Sequence, residues 1–132
     1  MVSVSEPIIR MIKHPDTHKV LTTVSPDGLP HAIVCASLWI KDDDTIVVAE
    51  VFMHRTVEYL NKNPNAEFLI WAGKNAYSIK AVAKERLTEG PIFDKMSAFM
   101  DRFNMATVAV WLFEITSVWD ESATDTSGQK VI

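Results

Sequence analysis

The sequence predicts a mainly β domain, with six antiparallel strands forming a small closed or partly closed barrel beside two principal helices and a short leading one. Three observations carry this expectation. Strand-length runs rich in β-branched and aromatic residues recur along the chain, and clusters of turn-forming residues separate them. Apolar residues at helical spacing are confined to short stretches. Closure is favoured for six antiparallel strands in 132 residues because it removes exposed edges.

The elements follow in order. Ser5 is a plausible N-cap for a helix over residues 6–13, with Glu6 and Pro7 in its first turn and Ile8, Ile9, Met11 and Ile12 beyond. His14-Pro15-Asp16 ends it, because a proline pushes the preceding residue out of the α region. Val20 to Val24 read as a strand, and Ser25-Pro26-Asp27-Gly28 as a turn in which proline presets one dihedral and glycine accepts positive φ. Residues 31–40 form a long apolar strand, Lys41-Asp42-Asp43-Asp44 a polar reversal, and residues 45–51 the returning strand. Residues 56–62 are helical with Val57 and Leu60 inward, stopped by Asn63-Pro64. Residues 66–72 and 77–87 are strands around a Gly73-Lys74-Asn75 loop. Gly90-Pro91 opens a helix whose Ile92, Phe93, Met96, Phe99, Met100 and Phe103 keep helical periodicity. Residues 107–118 are the last strand, and a polar tail from Asp120 is expected to be loosely ordered.

Length and composition bound the class. The chain is of single-domain size, and its hydrophobic fraction of 48% and charged fraction of 23% are ordinary for a globular protein. A chain this short buries a modest share of its surface, so pairing through an apolar face would help it. The net charge of −4 gives no reason to expect a nucleic-acid partner. One cysteine excludes an intramolecular disulfide framework and a Cys-rich zinc site, and fits a reducing cytosol. The leading segment lacks a secretory pattern, since Glu6, Pro7 and Arg10 break its apolar run. No run approaches the ~20 apolar residues of a membrane span. The expectation is a soluble, cytoplasmic protein with no membrane partner.

For chemistry, the segment from Met53 to Leu60 is the most informative, because it follows a strand and opens a helix. Such a junction leaves backbone N–H groups unpaired at the positive end of a helix dipole. Arg55 adds a planar fork of donors suited to phosphate oxygens, Thr56 a hydroxyl, and His54 a further donor when protonated. An anion, phosphate in particular, suits this place. The plainer alternative is that Thr56 caps its own helix and Arg55 is a solvated surface charge. Cys35, within Ile33-Val34-Cys35-Ala36, reads as a small buried hydrophobe rather than a nucleophile. His14 and His18 cannot share a helix face across Pro15, and the Asp42–Asp44 run lacks the spacing of a calcium loop, so no metal site is expected. No catalytic set is identifiable. The four tryptophans lie in or beside predicted strands, where core packing is the default.

The order of segments is more specific than any of them singly. Leu21-Thr22-Thr23 running through Asp27-Gly28-Leu29-Pro30-His31, then Ile46-Val47-Val48-Ala49 leading into Met53-His54-Arg55-Thr56, then Leu60-x-x-Asn63-Pro64 before a strand, and last Tyr77 to Ala83 before a Gly-Pro and an apolar helix, together resemble the pyridoxamine 5′-phosphate oxidase-like, FMN-binding split-barrel family. The likeness is to its small FMN-binding members and spans residues 8–118 of a single domain over 1–132.

That resemblance implies a six-stranded Greek-key split barrel, a homodimer, and flavin mononucleotide (FMN) bound in grooves at the subunit interface. Carried over by position, Arg55 and Thr56 would hold the phosphate with His54 adjacent. Val34, Cys35 and Ala36 would pass along the isoalloxazine edge through backbone groups, Ala49 and Glu50 would approach the ribityl chain or ring, and Met105 would reach the flavin from the partner. Tyr59 stands where many relatives have asparagine, Ala81 replaces a usual glycine, and the residues that recognise pyridoxine phosphate are not recognisable. Pyridoxamine phosphate oxidation is therefore not expected. The function implied is a flavin reductase or electron-transfer protein with an unknown donor such as NAD(P)H. The rivals are a deazaflavin- or haem-binding barrel and a dimeric module that holds its ligand without turnover.

Overall fold

The structure is a computed structural model that describes residues 2–132. In chain order its elements are α1 (Glu6–Lys13), β1 (His18–Val24), β2 (Pro30–Val34), β3 (Leu38–Lys41), β4 (Thr45–Glu50), α2 (His54–Lys62), β5 (Asn65–Ala72), β6 (Asn75–Leu87), α3 (Pro91–Asp101) and β7 (Ala109–Asp120). The strands form one antiparallel sheet in the order β2-β1-β5-β6-β7-β4-β3.

This order forces the sheet to curl. β2 and β3 stand at opposite ends of it, yet only Cys35, Ala36 and Ser37 join them. Laid flat, seven strands would hold the two edges about 29 Å apart. The four Cα steps from Val34 to Leu38 reach only about 14 Å. The crossing is abrupt: the Cys35 N–H still donates to the Lys19 carbonyl of β1 at 2.9 Å. Two residues on, the Ser37 hydroxyl donates to the Ala49 carbonyl of β4 at 2.8 Å. The sequence reads residues 31–40 as one strand and so expects six. The structure has seven because the chain changes partner at Ala36, which apolar character does not reveal.

The β5-β6-β7 meander with β4 returned beside β7 is a Greek key, its long connection running through α2. β6 and β7 bend where their register slips, between Lys80 and Ala81 and again between Ala83 and Glu85.

The curled sheet encloses the main core. Phe68 of β5 and Phe113 of β7 are fully buried and meet edge to face at 5.0 Å. Ile8 and Ile12, one helical turn apart, bring α1 into this core, and Leu60 brings α2. A second cluster lies where Met96 and Met100 of α3 meet Val47, Ala49 and Val110. β4 is therefore covered on both faces, Ile46 and Val48 inward and Val47 and Ala49 under α3. Its continuous apolar run follows from that.

β4 pairs with β7 only as far as Glu114, which would leave the far half of β7 with a bare edge. The final residues fill it, although the sequence leads one to expect a loose tail. The Val118 N–H donates to the Ile132 carbonyl at 2.8 Å, and the Val131 N–H to the Val118 carbonyl at 2.8 Å. Hydrogen bonds from the Ser122 N–H and the Thr126 hydroxyl hold the Asp120 carboxyl below its ordinary pKa. Among the described residues, no helix is long and apolar enough to cross a membrane.

Candidate functional site

β4 ends at Glu50, and Val51, Phe52 and Met53 turn the chain into α2. Phe52 takes the left-handed φ of 53° that this tight reversal demands and stands 82% exposed. Met53 is the N-cap, and the Val57 N–H closes the first helical turn onto its carbonyl at 2.9 Å. The helix thus begins two residues before its predicted start at Thr56. Thr56 lies inside the first turn rather than at the cap, and is buried. The N–H groups of His54, Arg55 and Thr56 have no helical carbonyl to meet, and the helix dipole adds partial positive charge there.

Arg55 is exposed at this end. Its guanidinium donates to the Tyr59 phenol oxygen at 3.3 Å from Nε and 3.2 Å from Nη2. Tyr59 in turn meets His31 of β2 edge to face at 5.3 Å. Among the described residues no carboxylate lies within ion-pair distance of Arg55. The cation is oriented by a neutral partner and keeps its charge uncompensated.

Glu50 is the opposite case. Its side chain is nearly buried, and Arg86 of β6 grips it with two hydrogen bonds, Nε to Oε1 at 2.9 Å and Nη2 to Oε2 at 3.0 Å. The Trp111 indole N–H of β7 donates to Oε1 at 2.8 Å. Burial alone would raise the pKa of this carboxyl. The hydrogen bonds from Arg86 and Trp111, with the charges of Arg86 and His54, outweigh it and hold the pKa below the ordinary value. Arg86 is correspondingly pushed up, chiefly by its hydrogen bond to Glu50. The Glu50 carbonyl also accepts from the Val108 N–H at 3.0 Å, which ties the chain leading into β7 to the same corner.

Glu50 and His54 line a cleft of about 190 Å³ with Phe52, Met53, Val57 and Val108. Val34 and Ala36 line another, of about 220 Å³, with Thr17, His18, Lys19, Val20 and Trp71. There His18 stacks on Trp71 at 4.9 Å, and burial lowers the Lys19 pKa. Cys35, between Val34 and Ala36, points into the core, and burial pushes its thiol up to about 12. That is the pKa of an inert thiol. The Ala49 side chain is sealed under α3, so nothing but its backbone could face a ligand. Met105 is exposed on the segment after α3, where Phe103 and Val108 are exposed too.

One protomer therefore brings together Glu50, His54, Arg55 and Thr56 at the β4–α2 corner, with Val34 and Ala36 in a different cleft. Sequence reasoning missed Arg86 and Trp111, which lie 36 and 61 positions from the Glu50 they hold. No local pattern spans that distance, because the pairing exists only once three strands are in register. Phe52 was readable in principle as a large apolar residue directly before a helix start. Among the described residues, no cluster of His, Cys, Asp and Glu could hold a metal ion.

The chain belongs to the pyridoxamine 5′-phosphate oxidase family, whose profile matches residues 11–122. No curated protein matches it significantly. Among solved structures it is similar to HupZ of Group A Streptococcus, at 17% identity and TM-score 0.81 over 95% of this chain and 99% of that one. An FMN-binding protein of Syntrophomonas wolfei matches at 20% identity and TM-score 0.76, over 88% and 82%. HutZ, a haem storage protein of Vibrio cholerae, matches at 14% and 0.64, over 92% and 97%. These likenesses establish a shared mainly β, curled-sheet architecture.

Proposed function

We propose that this chain binds FMN, phosphate first, at the corner where β4 enters α2, and works as a homodimeric flavin oxidoreductase. The observation that carries the reading is Arg55, an exposed guanidinium with no carboxylate partner beside the free N–H groups of a helix start. Family membership makes a flavin phosphate the favoured anion for it. The donor set fits the group, since helical N–H groups and a guanidinium fork are what a phosphate's oxygens accept from. His54 stands beside Arg55 at the same place.

The ring end would involve the backbone of Val34 and Ala36, since the Cys35 N–H is given to Lys19 and the Ala49 N–H and carbonyl to Ser37. Val34 is 81% exposed, so its apolar side chain faces water unless a second copy covers it. The segment carrying Met105 would approach from that copy. When bound, the flavin supplies the redox chemistry, and the chain contributes binding, orientation and exclusion of water. NAD(P)H is the electron donor to try first.

The test is a visible absorption spectrum of freshly purified protein, with the released cofactor identified by mass and the protein's size measured by gel filtration. A yellow dimer releasing FMN, whose colour NADH or NADPH bleaches without air, is the expected result. A colourless protein that refuses added FMN would sink the reading. A Soret band, or preference for a deazaflavin over FMN, would move the ligand to the corresponding rival. A bound flavin that NAD(P)H leaves oxidised would favour a holding module over an enzyme.

A further inference from the structure

We infer that Arg86 neutralises the phosphate end of the site, holding Glu50 as one half of an ion pair so that the carboxylate lining this cleft does not repel the incoming anion. The inference rests on the FMN reading and extends it to residues on β6 and β7 that the family resemblance does not point to. Its basis is geometric. Glu50 shares its cleft with His54, the first residue of α2, so the residue that carries this carboxylate borders the same space as the helix start. A bare carboxylate there would act on a phosphate through a partly dry medium, where charges are screened less than in water.

The Arg86 fork engages both carboxylate oxygens, and the Trp111 indole takes a further lone pair. The pair is thereby neutral, with the Glu50 side chain nearly buried and Arg86 partly exposed, which leaves Arg55 as the uncompensated charge at the corner. Three groups face Glu50: Arg86 from β6, the Trp111 indole from β7 and His54 from α2. Trp111 does not titrate, and comparison with wild type at each pH cancels the titration of the FMN phosphate.

Two variants separate this role from a merely structural one. Arg86→Met leaves Glu50 charged and unpaired. FMN affinity is expected to fall about tenfold relative to wild type at pH 8, from one unscreened charge across the cleft, and the deficit to shrink by pH 5 as Glu50 takes up a proton. Glu50→Gln keeps the shape and one acceptor oxygen for Arg86 Nε and the Trp111 indole, gives up the bond from Arg86 Nη2, and removes the negative charge. It should bind FMN several-fold more tightly than wild type, with steeper salt dependence. A structural clamp predicts the reverse sign, since weakening the clamp would loosen the corner. Should Arg86→Met not fold, Glu50→Gln alone decides.

The measurement is quenching of FMN fluorescence on titration with protein at pH 5 and pH 8. Tighter binding by Glu50→Gln, or an Arg86→Met deficit that closes in acid, supports the inference. Weaker or unchanged binding by Glu50→Gln, or a deficit in Arg86→Met that ignores pH, overturns it and leaves the FMN reading standing. A wild-type protein that takes up no FMN overturns both.

Discussion

β4 and β2 both carry residues that the family resemblance assigns to a flavin, yet they are built differently. β4 is sealed on two faces, by the barrel core and by α3, and its last side chain is clamped by Arg86 and Trp111. β2 is covered on one face, with alternate residues left to solvent and Val34 almost fully exposed. The strand that leads into the helix start is a rigid platform inside a single chain. The strand that ends at Ala36 presents a half-finished surface. If FMN binds as proposed, its phosphate meets a preformed corner, while its ring meets a face that needs a second copy to complete it.

The sharpest way to break this contrast is to trim the two strands and compare. Ile46→Ala, on the inner face of β4, should cost about 2–5 kcal/mol of unfolding free energy in urea, because it leaves a cavity in a fully covered core. Val34→Asp on β2 should change the unfolding of dilute protein by no more than about 0.5 kcal/mol. In gel filtration of concentrated protein, the same change should move the elution to that of a single chain. A large loss for Val34→Asp in dilute solution, with no change in size, would show that β2 is part of the protomer's own core.

Next in size is the preformed corner itself. Arg55→Ala should weaken FMN binding by about 1.5–3 kcal/mol, the usual worth of a hydrogen bond to a charged group. The circular dichroism spectrum should stay as in wild type, because Arg55 holds nothing but Tyr59. Loss of folding would make Arg55 structural and remove the phosphate assignment.

A smaller effect is expected from acid. Glu50 has its folded-state pKa held below the unfolded value, so its contribution to stability is complete above the unfolded carboxyl pKa and is lost as pH falls through the folded one. Thermal midpoints followed from pH 6 downward should fall less steeply for Glu50→Gln than for wild type, and parallel curves would show that the ion pair contributes nothing to acid stability. The least effect concerns Cys35. With its thiol buried and its pKa pushed up to about 12, it should ignore a thiol reagent at pH 8 in the native protein and react fully in denaturant. Rapid labelling of native protein would show that the β2–β3 crossing opens.

Much of the fold was legible because its signals are local. Pro7, Pro15, Pro64 and Pro91 punctuate helices and strands at or near the observed boundaries, and Gly28 takes the positive φ its turn requires. Two readings slipped for reasons that are not local. Residues 31–40 are apolar but for His31 and Ser37, and a lone serine does not mark the change of partner at Ala36. The residues after Asp120 are polar and look loose, yet an unpaired stretch of β7 gives their backbone somewhere to bind. At the corner, Arg55 and His54 were visible from their place before a helical pattern. Glu50 was visible only through the resemblance, and its partners not at all.

What the sequence by itself determined, then, is the succession of strands, helices and turns, since hydrophobic period and turn chemistry act over a few neighbouring residues. It also singled out the β4–α2 junction, because a helix start announces itself in the same short window. Tertiary structure alone decided that the sheet curls, since a three-residue link must join its two outer strands. It decided too that Glu50 is paired with Arg86 and hydrogen-bonded by Trp111, and that Val34 is left uncovered. Charge pairing and burial depend on which distant segments share an edge, and that is settled only when the strands find their register.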